Sequence, residues 1–347
     1  MARRPDSWFR AFAPASIANF GSGFDLFAAA IGRVDSKPGR HHRFRPYGDI
    51  VSVRRTNSPG VRVLSIFGDG GRLPHSARKN CAAVAAAALL RLTKAAFGLE
   101  LVLEKGLPLS SGLGSSAASA AAGAYAAALA AGGNIDREIL LESSLAGEHV
   151  ADDSWHGDNV WASLSGGGVL VPSTRPVEVI PLGAPRGLEL LVTHPDFELE
   201  TRRAREVIAS RVALSEALAQ SGRFASFVMA WKKGDVPSIG RGLADRLAEP
   251  FRAPLVPGFP EAQRSAMGEG AYGLTFAGAG PSVVAIVPPD RAKRVARVIE
   301  TAFRRAGLDS TSLLCRVDPR GAREVKSRLN AGGGRPLEPS RKTGQAS

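Results

Sequence analysis

The chain has 347 residues, 44% of them apolar and 22% charged, with 39 glycines and a formal net charge of +13. A chain of this length exceeds one ordinary domain and buries about three quarters of its unfolded surface, which predicts two compact domains sharing a cleft and excludes a fibrous or wholly disordered polypeptide. The charge reads as solvation rather than a nucleic-acid footprint: Arg3, Arg4 and Arg10 against Asp6, with Arg335, Arg341 and Lys342 against Glu338, put four of the thirteen in the tails, and the rest surrounds apolar helix positions without interleaved aromatics.

Met1 to Ala11 reads as a loose end with no charged-then-apolar leader. His41 and His42 follow in a basic loop without metal-ligand spacing, so no zinc is expected. A helical pattern runs from Asn80 to Thr93; its apolar stretch, Cys81 to Leu90, has about half of the twenty or so residues that a membrane span needs. Cys81 and Cys315 lack partners at redox or metal spacing. A cytoplasmic protein without membrane or nucleic-acid partners is expected. Alternation across Leu99 to Glu104 predicts a half-buried strand, followed by helices over Ser115 to Ala131 and Arg137 to Val150. Gly168 to Val171 predicts another strand, and Pro172 to Pro185, with four prolines, reads as a seam near residue 180. Beyond it lie strands at Leu188 to Thr193 and Val283 to Val287, and helices at Arg202 to Gln220, Phe224 to Lys232 and Arg291 to Ala306. The mixture predicts an α+β fold with domains at 1–180 and 181–330 and a tail at 331–347.

The segment with the most chemistry is Pro108-Leu109-Ser110-Ser111-Gly112-Leu113-Gly114-Ser115-Ser116, between a strand and an alanine-rich helix. A helix N-terminus has unpartnered N–H groups and partial positive charge, so it stabilises an anion. Gly112 and Gly114 would let a phosphate approach, and Ser115 and Ser116 would offer hydroxyls to phosphate or magnesium. A plain glycine-serine turn is the alternative for this segment alone. A dinucleotide fold would need a second strand ending in an acidic residue, yet Asp136 begins a helix; a Walker loop would need Gly-Lys-Ser or Gly-Lys-Thr; a protein kinase would need His-Arg-Asp and Asp-Phe-Gly.

Together with Pro14-Ala-Ser-Ile-Ala-Asn19-Phe-Gly21-Ser-Gly23-Phe-Asp25 and Gly273-Leu-Thr275-Phe-Ala-Gly278-Ala-Gly280-Pro281, that loop resembles the three ordered motifs of the GHMP kinases, over roughly residues 11 to 290. The family takes its name from galactokinase, homoserine kinase, mevalonate kinase and phosphomevalonate kinase. The resemblance implies a GHMP kinase fold, with an N-terminal domain similar to ribosomal protein S5 domain 2, a ferredoxin-like C-terminal domain and, commonly, a homodimer. The Asn-x-Gly-x-Gly-Phe-Asp pattern, Glu148 with His156, Asp158 and Asn159, Thr201-Arg-Arg-Ala-Arg205, and Arg252 resemble the homoserine kinase branch. Phe20 stands where that branch more usually has leucine, and Gly157 where it has proline.

The resemblance implies ATP and Mg2+ as cofactors and L-homoserine as acceptor. Residues 108 to 116, with Gly278 and Gly280, would hold the triphosphate, and Ser116 and Glu148 the metal. An amino-acid acceptor needs an anion for its ammonium, met by Asp25, and cations for its carboxylate, met by Arg205 and Arg252. Asn19, His156 and Thr201 would complete the acceptor site. Asn19 and Asn159 would orient the hydroxyl, with Asp158 the rival candidate as a general base. Threonine or a mevalonate-type alcohol remains an alternative substrate, and a non-catalytic S5-like nucleic-acid-binding protein an alternative class.

Overall fold

The computed structural model describes residues 7–35, 43–152, 157–174 and 177–325. The first part of the chain forms β1 (Phe9–Ala18), β2 (Phe27–Asp35), β3 (Arg43–Arg45), β4 (Gly48–Thr56) and β5 (Val61–Phe67). Then come α1 (Cys81–Leu92), β6 (Gly98–Glu104), α2 (Ser115–Ala130), α3 (Arg137–Asp152) and α4 (Asp158–Ser165). A hairpin of β7 (Gly168–Thr174) and β8 (Val177–Gly183) leads to β9 (Leu190–Pro195), α5 (Thr201–Glu206), α6 (Leu214–Lys233), α7 (Val236–Arg241) and α8 (Glu249–Arg252). The described chain closes with α9 (Phe259–Gly268), β10 (Gly273–Phe276), β11 (Val283–Ile286), α10 (Ala292–Arg305), β12 (Ser310–Val317) and β13 (Arg323–Glu324).

The main sheet runs β10-β11-β9-β12-β2-β1-β4-β6-β5. Its pairings are antiparallel except β5 with β6. The chain therefore has the expected α+β character. The carboxyl-terminal strands return to the start of the chain: β12 pairs with β2 and β9, and β13 with β1.

Alanine explains how α2 reaches its position. Twelve of its sixteen residues are buried, among them ten alanines, so the helix lies close to the sheet on one side and to α1 and α3 on the other. At Gly123 a Cβ would stand 2.3 Å from the carbonyl oxygen of Ala82 on α1, so a larger residue there would push the two helices apart. A second core holds Phe20, Phe27, Phe227 and Trp231 in edge-on ring contacts, with Phe20 wholly buried at the place where leucine is more usual. A third core forms around Phe259, Phe276, Ile299 and Phe303.

Two expectations about elements are corrected. Residues 9–11, read as part of a loose end, belong to β1, where Ala11 is fully buried between β4 and β13. Pairing across the chain, which local polarity does not reveal, orders them. The helices expected at 202–220 and 224–232 are instead 201–206 and 214–233. Ser221 and Gly222 are exposed on a helix whose other face buries Gln220, Phe227, Ala230 and Trp231 in one register, and that packing outweighs the roughly 1 kcal/mol cost of an internal glycine. The proline-rich segment 172–185 is mostly hairpin: Pro181 sits in β8, which pairs only with β7, and an edge strand tolerates the missing donor. The tail at 331–347 lies outside the described residues.

Candidate active site

A cleft of about 550 Å³ opens where the β1–β2, β6–α2 and β10–β11 loops meet the start of α4, the start of α5 and Arg252 of α8. Leu109, Ser110, Ser111, Gly112, Gly114, Ser115 and Ser116 of the expected phosphate loop line it, as do Gly278 and Gly280. Two predicted members of the loop do not: Leu113 points into the second core, and the Pro108 carbonyl accepts the Ser111 hydroxyl at 3.0 Å. Gly114 caps α2 with φ 62° and offers its first-turn N–H groups no side-chain acceptor, which leaves that turn as an anion site. The glycines have a second task that the sequence did not disclose. A Cβ on Gly112 would meet the Ala277 carbonyl oxygen at 2.2 Å, and one on Gly114 would meet Ser16 Oγ at 2.1 Å, so both allow neighbouring loops to touch.

Beneath the loop is a charged network. The Lys105 ammonium, at the end of β6, pairs with Asp49 and donates to the Ser115 carbonyl at 2.9 Å, Ser115 Oγ at 2.8 Å and Ser119 Oγ at 3.0 Å. Ser119 in turn donates to Asp49 at 2.7 Å. The network fixes the first turn of α2 from below and puts a cation beside it. Lys105 was missed in the sequence because a lone lysine at a strand end has no pattern of its own.

Ser116 Oγ donates to Glu148 Oε1 at 2.8 Å, and Glu148 is 9% exposed at the cleft wall. A hydroxyl and a carboxylate are hard oxygen donors, a set that fits a magnesium ion completing its shell with water and phosphate oxygens. Cys81 also lines the cleft, where burial pushes its thiol up to about 12 and keeps it uncharged.

The other end of the cleft gathers the residues expected to take the acceptor. Asn19, Phe20 and Asp25 all have positive φ, so the β1–β2 turn is tightly constrained. Asn19 Oδ1 accepts the Asp25 N–H at 3.0 Å, and its Nδ2 donates to the Gly278 carbonyl at 2.9 Å. Arg205 meets Asp25 as a fork, at 3.0 and 2.8 Å. Arg252 is 3% exposed; its Nε donates to the Ala204 carbonyl at 2.9 Å and Nη1 to the Gly278 carbonyl at 3.2 Å. Burial first, then nearby Arg205, lowers its pKa to about 10, so it remains cationic at neutral pH. Asp158 is 3% exposed, accepts the Asn159 N–H at 2.7 Å, and is raised to about 7 by burial first and by Asp25 second. Asn159 Oδ1 accepts the Ser16 hydroxyl at 2.8 Å. Thr201 lines the cleft at the start of α5, and His156 lies outside the described residues. Arg72, beside the lining residues Leu73 and Pro74, pairs with Glu198, beside the lining residue Leu199.

Apart from Pro108, Leu113 and the undescribed His156, every predicted site residue therefore lines this cleft. Comparison with known proteins agrees with the geometry. The family model "GHMP kinases N terminal domain" matches residues 80–167, and "GHMP kinases C terminal" matches residues 224–305. A homoserine kinase of Xanthomonas campestris pv. campestris is 39% identical over 315 residues, 90% of this chain and 93% of that protein. Another, of Chloroherpeton thalassium, is 36% identical over 324 residues, 90% of this chain and 98% of its own length. The crystal structure of homoserine kinase from Cytophaga hutchinsonii superposes with a TM-score of 0.84 at 35% identity, covering 94% of this chain and 99% of that one. The chain belongs to the GHMP kinases, and ATP is its phosphate donor.

Proposed function

We propose that this kinase transfers the γ-phosphate of ATP to the side-chain hydroxyl of L-homoserine, forming O-phospho-L-homoserine on the route to threonine. The observation that carries the proposal is a single cleft with an anion-binding helix start at one end and Asp25, Arg205 and Arg252 at the other. Full-length relatives named homoserine kinase support it.

In this reaction the hydroxyl oxygen bonds to the γ-phosphorus, the bond to the β–γ bridging oxygen breaks, and ADP departs. The amides and hydroxyls of residues 109–116 hold the phosphates, with Gly278 and Gly280 covering them. Ser116 and Glu148 would hold Mg2+, which when bound neutralises phosphate charge. Asp25 takes the ammonium of the amino acid; Arg205 and Arg252 take its carboxylate. Mevalonate has no ammonium, so Asp25 disfavours it. Asn19 and Asn159 orient the hydroxyl, and such orientation is worth about 7–11 kcal/mol, enough to make a strong base unnecessary. Asp158, raised to about 7, is the group able to receive the hydroxyl proton.

Among the described residues no helix is long and apolar enough to cross a membrane. We propose that the enzyme works in the cytoplasm as a homodimer. The exposed apolar side chains Leu214, Leu218 and Met229 along α6 support the second point. A panel assay with ATP and Mg2+, offering homoserine, threonine, serine and mevalonate, tests the substrate: homoserine is expected to give the highest kcat/KM, and a clear preference for any other acceptor rejects it.

A further inference from the structure

Phe24 lies between Gly23 and Asp25 in the β1–β2 turn, and it stands apart from its aromatic neighbours. Phe20, Phe27 and Phe224 pack in or against the second core, whereas Phe24 is in none of the four apolar cores and is half-buried. Two cations approach it instead. The guanidinium carbon of Arg252 is 5.2 Å from the ring centroid and that of Arg205 is 5.7 Å from it. Both fall within the roughly 6 Å over which a guanidinium is attracted to an aromatic quadrupole.

Two guanidiniums beside one ring repel each other, and Arg205 lowers the proton affinity of Arg252. Arg205 has Asp25 as a counter-ion. Among the described residues Arg252 is bonded to the carbonyls of Ala204 and Gly278 and to no carboxylate. Asp25 and Asp245 act on Arg252 through space and offset part of the repulsion, and an aromatic ring near both guanidiniums adds an attraction to each. The backbone keeps the ring in place: a Cβ at Gly23 would meet Phe224 Cε2 at 2.7 Å and Asn19 O at 2.8 Å, and Asp25 has φ 56°.

We infer that Phe24 is a positioning residue for the acceptor carboxylate, holding Arg205 and Arg252 together as a preformed two-arginine clamp through the attraction of both to one ring. This deepens the proposed homoserine kinase activity and rests on it. The clamp is set before substrate arrives, so the amino acid does not have to draw two like charges together as it binds.

The test compares Phe24→Leu, which keeps apolar bulk and loses the π face, with Phe24→Tyr, which keeps both. Each is assayed with ATP and either homoserine or 3-aminopropan-1-ol, which has the same hydroxyl and ammonium but no carboxylate. Phe24→Leu is expected to raise KM for homoserine about tenfold, equivalent to ~1.4 kcal/mol, with kcat, KM for ATP and Tm close to wild type. Phe24→Tyr should restore KM, and kcat/KM for 3-aminopropan-1-ol should be the same in wild type and Phe24→Leu. An equal penalty on both acceptors, or no penalty on homoserine, overturns the inference. Should Phe24→Leu not fold, Phe24→Met makes the same comparison. If the wild type prefers another carboxylate-bearing alcohol, the substrate assignment fails, while the same comparison on that acceptor and its decarboxylated analogue still decides the role of Phe24.

Discussion

The two ends of the cleft are built in different ways. The end expected to take phosphate comes mainly from one segment, residues 109–112 and 114–116, stiffened from beneath by Lys105 and Asp49, at a helix start whose first-turn amides have no side-chain cap. The end expected to take the acceptor draws Asn19 and Asp25 from the first turn, Asp158 and Asn159 from α4, Arg205 from α5 and Arg252 from α8, and it presents polar and charged side chains. A phosphate tail common to every nucleotide can be met by a local motif. An acceptor that must be told apart from its analogues needs groups whose positions depend on the whole fold.

Substitutions can break this contrast. Glu148→Gln has the largest expected effect, because it removes a carboxylate from the phosphate end: kcat should fall by about 10³-fold or more with circular dichroism and Tm nearly unchanged. Retained turnover in a magnesium-dependent coupled assay would remove Glu148 from the site. Arg205→Lys acts at the acceptor end alone. It keeps the charge but loses the fork to Asp25, so KM for homoserine should rise about 10- to 100-fold while KM for ATP holds; an equal rise in both would show that the ends are not separable.

Asp158→Asn sharpens the contrast through pH. The fold raises this carboxyl from 3.8 to about 7, chiefly by burial. The native state thus holds the proton more tightly than the unfolded state. The resulting stability is intact below about pH 4 and lost as pH rises through about 7. The asparagine variant, with no charge to bury, should melt about 2–5 °C above wild type at pH 8 and lose that advantage near pH 4. If orientation drives the reaction, its kcat at pH 8 falls by less than about 10²-fold, and a larger fall makes Asp158 the base.

The same contrast governs what could be read from the sequence. The loop, the strand before it and the helix after it were legible because they are contiguous and each obeys a local rule, and so was the amphipathic α10. β1, β2 and β4 were not, because much of their order comes from partners far along the chain. The acceptor residues could be named only through resemblance. No spacing announces that Arg205 will reach Asp25 across 180 positions, or that Phe24 will lie beside two arginines. Lys105 and Asp49 share this character: their pairing spans 56 positions and is visible only when β4 and β6 lie side by side.

The position of β12 has a consequence for how the protein is made. This strand sits between β9 and β2 and joins two portions of the sheet, yet it follows both of them in the chain. Until residue 317 has cleared the ribosome, β9 and the stretch of β2 around Ile31 offer bare edges to any passing strand. A chain cut short before Ser310 would keep those edges bare and is expected to clump rather than form a smaller working enzyme.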